Sequence, residues 1–278
     1  IQENTSYKSN IGKVIEEKSH LRDLGVTLSN DASFKQHIAE KIKSMKSKIG
    51  WVMRTFRTRE KQPMLTLWKQ LILCDHDYCS QLWSPTKTGE IQDLEMLQKA
   101  FVRKIYGMQT LSYWEQLLEL KMYSMERRRE RYMAIYTWRI LEGHVPNIET
   151  TPVTYQHHVR RGRLCHIPKV SNTAHLAIQK VRLSSLAVRG PRLFNALPWH
   201  IRNLTRCDVN SFKDKLDKFL STVPDEPLVP GYTQYRRCDS NSLIDWCTSS
   251  HLRQMDDLGV SKEYQPQDAA VAQDSQDY

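Results

Sequence analysis

The chain has 278 residues, with 41 Lys+Arg against 31 Asp+Glu for a formal net charge of +10, 40% hydrophobic residues, a pI near 9.3 and a mean hydropathy of −0.60. These values fit one or two soluble domains with a sizeable core and exclude wholesale disorder, and no apolar run is long enough for a membrane span, because Lys69 and Gln70 interrupt the longest one, Leu65 to Cys74. Residues 239–278 hold eight acidic against two basic residues, a net of −6, which leaves residues 1–238 at +16, a field that should attract polyanions or, in the blander reading, only solubilises the surface.

In chain order, His20 to Ser29 alternates Leu24, Val26 and Leu28 with polar or small residues, the period-two pattern of a half-buried strand. After a turn at Asn30-Asp31, the Ser33 and Gln36 spacing predicts a capping box, followed by a helix with Ile38, Ile42, Met45, Ile49, Val52 and Phe56 on one face. Pro63 suits the first turn of a second helix through Leu65, Trp68, Leu71 and Ile72. Leu94, Leu97, Phe101, Val102 and Ile105 mark a third helix that Gly107 can terminate. Ser112 and Glu115 have capping-box spacing for a short fourth helix, and Ser124 to Leu141 is a fifth. Residues 147–170 read as a long connection with room for short strands, Leu183 to Val188 as a strand, Pro191 to Leu197 as a short helix and Ser211 to Leu220 as a closing helix. From Pro224 onward a Pro-containing linker leads into an acidic tail expected to be disordered.

The opening IQENTSYKSN has neither the basic nor the apolar region of a secretory signal, and its first residue, Ile1, suggests a fragment. Six scattered cysteines read as reduced thiols of an intracellular protein of the cytoplasm or nucleus. Cys74, His76 and Cys79 lack a fourth ligand at zinc spacing, as do Cys238, Cys247 and His251, so no metal site is expected. On a helical wheel with Ile38 at zero, Lys35, Lys43, Lys46, Arg54 and Arg57 fall between about 60° and 160°, a basic flank suited to the phosphates of a nucleic acid or, more blandly, to solvent. Arg160, Arg161 and Arg163 around Gly162 form a second basic cluster, either a phosphate contact or a linker without a specific partner.

The segments HLRDLGVTLSNDASFKQHI (20–38), DYCSQLWSPTKTGEIQDLEMLQKAFVRKIYGM (77–108), LSYWEQLLELKMYSMERRRERYMAIYTWRILEG (111–143), SLAVRGPRLFNALPWHIRN (185–203) and NSFKDKLDKFLSTVPDEPLVPGY (210–232) resemble, in order, the C-terminal part of a LINE-type non-LTR retrotransposon reverse transcriptase. The resemblance implies that Asp23 to Leu28, with Leu24, Gly25 and Val26 at its centre, is similar to the primer-grip strand, and that a helical thumb follows. It also implies that the catalytic palm, with its Mg²⁺-binding aspartates and aromatic-x-Asp-Asp turn, belongs upstream. Met255-Asp256-Asp257 is a coincidental match, since it follows Gln254 and lies beyond the grip-like strand. The chain alone is therefore expected to have no catalytic residues, no cofactor and no polymerase activity. Its expected partners are an RNA or RNA–DNA template-primer, bound without sequence specificity, and the palm of the complete enzyme, with no membrane. The alternative is a basic protein-interaction or structural module.

The expected architecture is mainly α: a β segment (1–32), a helical thumb-like region (33–143), a small mixed post-thumb region (144–223) and the linker and acidic tail (224–278). On the fifth helix, Met125, Tyr132, Met133, Tyr136 and Ile140 form the packing face, while Arg127, Arg131 and Trp138 lie opposite, within about 40° of each other. Trp138 has two readings, a base-stacking platform flanked by arginine–phosphate contacts or a core residue buried around Phe194 and Trp199. Burial is preferred for a large aromatic between helical layers.

Overall fold

A computed structural model describes residues 10, 12, 18–146, 155–158, 162–169, 176–231 and 241–248. The protein is mainly helical, and its described strands form two antiparallel pairs. It divides into two compact units, Ile1–Lys121 with Pro168–Val188, and Met122–Ile167 with Arg189–Tyr278.

The first unit opens on a hairpin of β1 (His20–Asp23) and β2 (Val26–Ser29), in register Leu21 opposite Leu28 and Arg22 opposite Thr27. The alternation over 20–29 predicts one strand, but the chain reverses at its middle. Leu24 (φ 44°) and Gly25 (φ 81°) both adopt the left-handed values of a two-residue hairpin turn. Gly25 does so without steric cost and Leu24 does not. Tyr78 supports the turn, its hydroxyl donating to the Leu24 carbonyl at 2.8 Å. The inner positions are Val26 and Thr27, while Leu21, Leu24 and Leu28 are exposed.

α1 (Lys35–Thr55) buries Ile38, Met45 and Val52, as its periodicity predicts. Its start differs from the expected capping box. The Asp31 carboxylate takes the Ser33 N–H at 3.0 Å, and Gln36 donates to Glu40 at 2.9 Å. Its end is closed by Arg59, whose guanidinium donates to the carbonyls of Met53 and Phe56, which a helix terminus otherwise leaves unpaired, and to that of Thr58 in the following loop, at 2.6 to 2.9 Å.

The second predicted helix is α2 (Lys61–Leu67) running through a π-helical turn, Trp68–Ile72, into α3 (Leu73–Asp77). The wider turn brings both Trp68 and Ile72 fully inside, where Trp68 meets the Phe101 ring at 4.7 Å. After α4 (Ser80–Trp83), α5 (Thr88–Val102) ends before Gly107, and Ile105 is buried from the following turn. α6 (Tyr113–Leu120) has the predicted capping box: the Ser112 hydroxyl accepts the Glu115 N–H, and the Glu115 carboxylate accepts the Ser112 N–H at 2.7 Å. α1 packs against β2, α3, the π-helical turn and α5.

The second unit is built on α7 (Met125–Leu141), capped by the Ser124 hydroxyl, which accepts the Arg127 N–H at 3.0 Å. β3 (Tyr155–His158) and β4 (Gly162–Cys165) pair within the predicted connection. Leu183 to Val188 is not a strand. It lies at the end of α8 (Leu176–Ser184), in the first unit, and the start of α9 (Leu186–Ala196), because a short apolar run fits either structure. α10 (Trp199–Arg202) packs on β4 and on α11 (Val209–Leu220), and α11 packs on α7. This pairing puts α7 in the second compact unit, with the later chain.

Trp138 is fully buried and stacks on Phe212 with ring centroids 4.5 Å apart and planes 10° from parallel, while its indole N–H donates to the Leu204 carbonyl at 2.8 Å. Burial is thus correct but the stacking partner is Phe212, and Trp199 is 51% exposed. Part of the stretch read as an unfolded tail is also packed. Asp225, Val229 and Leu243 are buried, and Leu243–Thr248 forms α12. Residues 232–240 and 249–278 lie outside the described residues.

Candidate nucleic-acid interface

Between Lys41 and Arg59 the chain holds seven basic residues and no acidic one. Some of these cations are committed within the fold. The Lys48 ammonium lies 2.9 Å from the Asp75 carboxylate, which also accepts from the Ser44 hydroxyl, and Arg59 caps α1. Lys41 sits over the Tyr78 ring at 5.5 Å. Lys35, Lys43, Lys46, Arg54 and Arg57 are exposed and have no acidic partner among the described residues. Arg57 is in the loop after α1, not on the helical wheel that places it beside the others. From Lys43 to Arg54 the basic face extends about 16 Å along the axis, at about 1.5 Å per residue. A field of unneutralised positive charge of this length suits phosphates and carries no sequence information.

Trp51 on the same helix is 47% exposed and is not among the residues that the sequence pattern singles out. Its signal was present, since it falls about 140° away from Ile38 on the wheel.

The arginines predicted for the second unit have structural roles. Arg127 is fully buried, donating to the carbonyls of Pro224 at 3.1 Å and Asn241 at 2.7 Å, with the carboxylates of Asp225 and Glu130 at 3.6 and 3.8 Å from its Nε. Arg131 grips both carboxylate oxygens of Asp217. Arg163 is buried, donating to the Glu142 carboxylate and the Leu141 carbonyl. These three are therefore corrected from phosphate contacts to anchors of loops and of the C-terminal segment, while Arg160 and Arg161 lie outside the described residues. A wheel shows that Arg127 lies opposite the first apolar stripe, but it cannot show that residues 224–243 cover that side as well.

Glu130 completes this buried network. It accepts from the Ser242 hydroxyl and from the Leu243 N–H through both oxygens, at 2.8 and 2.9 Å. Burial pushes its carboxyl up to about 7 despite the pull of Arg127.

The grip-like residues Leu24, Gly25 and Val26 form a hairpin turn and the first residue of β2, with Leu24 83% exposed at the tip. Cys74 is exposed, and its thiol donates to the Leu71 carbonyl. His76 is buried, with its Nδ1 3.0 Å from Asp77. No group of three or more His, Cys, Asp or Glu side chains among the described residues is placed to hold a metal ion. Burial raises the thiols of Cys165 and Cys247 to about 12, which suppresses the nucleophilic thiolate. Cys238, His251 and Met255-Asp256-Asp257 lie outside the described residues. Among those described, no helix is long and apolar enough to cross a membrane. No family model, curated protein or solved structure matches the chain.

Proposed function

We propose that this chain is the thumb and post-thumb part of a non-LTR retrotransposon reverse transcriptase. In this reading it holds an RNA or RNA–DNA template-primer by its phosphates while a palm supplied by another part of the enzyme polymerises. The observation that carries the reading is the α1 face, where Lys43, Lys46 and Arg54 are exposed without an acidic partner among the described residues. The five ordered sequence segments that resemble this enzyme family support it, as does the concentration of +16 outside residues 239–278. The exposed leucines of the hairpin, Leu21, Leu24 and Leu28, are the apolar surface on which the palm is expected to seat. Two-metal phosphoryl transfer needs several convergent carboxylates. The family resemblance assigns the polymerisation chemistry and its Mg²⁺ to the palm in this reading.

The test is binding of a fluorescently labelled blunt RNA–DNA hybrid, followed by anisotropy. Lys43→Gln, Lys46→Gln and Arg54→Gln in one variant are expected to weaken binding by at least tenfold at low salt. Lys61→Gln removes a cation already paired with Glu119 and should leave binding almost unchanged. Equal affinity of the triple variant and the unmodified chain would overturn the assignment of this face.

A further inference from the structure

Resting on that reading and going one step beyond it, we propose that Trp51 is a stacking platform for an unpaired base, so that α1 holds a single-stranded extension of the nucleic acid as well as its duplex. The ring is fixed but not covered. Phe56 meets it edge-on, with centroids 5.8 Å apart and planes 86° from parallel, and 47% of the residue remains open to solvent. The residues around it on the helix are small or cationic. Ser47 lies one turn before it, Gly50 directly precedes it and Arg54 follows three residues later.

The Arg54 guanidinium lies across the Gly50 backbone, its Nη1 3.3 Å from the position a Cβ would take. Glycine within a helix is destabilising relative to alanine. Here its small size lets a cation lie close to the helix backbone, at the residue that directly precedes Trp51. On the wheel Arg54 and Lys43 lie about 60° and 80° from Trp51, with Lys46 on the far edge of the positive face, and no acidic side chain interrupts the sequence between Lys41 and Arg59. Aromatic rings beside a cationic track are what single-strand binding requires, because every base has a π face and every nucleotide carries a phosphate. An acidic polypeptide would satisfy the cations but has no general use for the indole.

The experiment measures binding of the unmodified chain, Trp51→Ala and Trp51→Phe to three labelled probes, namely a blunt RNA–DNA hybrid, the same hybrid with a single-stranded RNA extension, and poly-glutamate. Trp51 is exposed, so both variants are expected to fold, and their melting curves check this. The proposal expects the extension to tighten binding, Trp51→Ala to lose about 5- to 100-fold on the extended probe with little change on the blunt one, and Trp51→Phe to retain most of the gain. If the chain binds both hybrids equally, or Trp51→Ala binds the extended probe as the unmodified chain does, stacking is overturned while the duplex-holding reading stands. If neither hybrid is bound, both fail. If poly-glutamate loses as much affinity on Trp51→Ala as the extended hybrid does, the face is one for acidic protein and the proposal is overturned.

Discussion

Trp51 and Trp138 show how far a single residue can be read. Both lie on amphipathic helices among basic residues, yet Trp138 is sealed between Phe212 and the Leu204 carbonyl while Trp51 keeps nearly half its surface. Trp138→Ala should destabilise the protein by about 3 to 5 kcal/mol, the range for truncating a buried tryptophan. Denaturant unfolding checks this, and a change under about 1 kcal/mol would contradict the observed packing. A helical wheel gives the side of the helix on which each residue lies but not which sides a remote segment covers, and for that reason it presents Arg127 as a phosphate contact.

His37 was not singled out by its sequence pattern. Its Nδ1 accepts the Thr27 N–H at 3.1 Å and its ring meets Trp83 edge-on at 5.4 Å. Burial, with a smaller contribution from Lys41, lowers its pKa from 6.5 to about 4, while Glu40 opposes the shift. The unfolded chain takes this proton near pH 6.5 and the native chain only near 4, so stability held by the neutral ring is present above pH 6.5 and is lost as pH falls through about 4. His37→Gln should therefore show a shallower loss of melting temperature between pH 7 and pH 4 than the unmodified chain. Parallel curves would show that His37 does not titrate in this way.

Among the elements, those with local signals were legible. Ser112 and Glu115 cap α6, Pro63 sits in the first turn of α2, and α7 and α11 lie within a few residues of their expected ranges. The departures arise where a distant residue decides. Leu24 accepts a left-handed turn supported by Tyr78, and the Trp68–Ile72 turn widens as it places two large side chains in the core.

α12 is the clearest case, since its start depends on Glu130, more than a hundred residues earlier in the chain. The chain lacking residues 249–278 is the reference for this helix. Removing residues 241–278 takes away Leu243 and the groups that satisfy Glu130 and Arg127, and should cost about 3 kcal/mol or more, because unpaired buried polar groups carry roughly 1–3 kcal/mol each. Equal melting of the two truncations would show that α12 contributes nothing to the fold.

At the scale of the whole molecule, charge was the most legible property. The +16 of residues 1–238 pointed to a polyanion before any element was placed, whereas which cations face solvent and which bind carboxylates or carbonyls depended on three-dimensional packing. Primer extension on an RNA template with Mg²⁺ or Mn²⁺ should give no product from this chain alone. Template-dependent synthesis by pure protein would contradict the assignment of chemistry to a separate palm.

The central claim, that the α1 face binds nucleic acid through phosphates, is tested most directly by the salt dependence of hybrid binding. Affinity should fall linearly with salt on logarithmic axes, and the variant lacking the cations of Lys43, Lys46 and Arg54 should show a slope shallower by about 2 to 3, because each phosphate contact contributes about 0.9. Identical slopes for the two proteins would contradict the account.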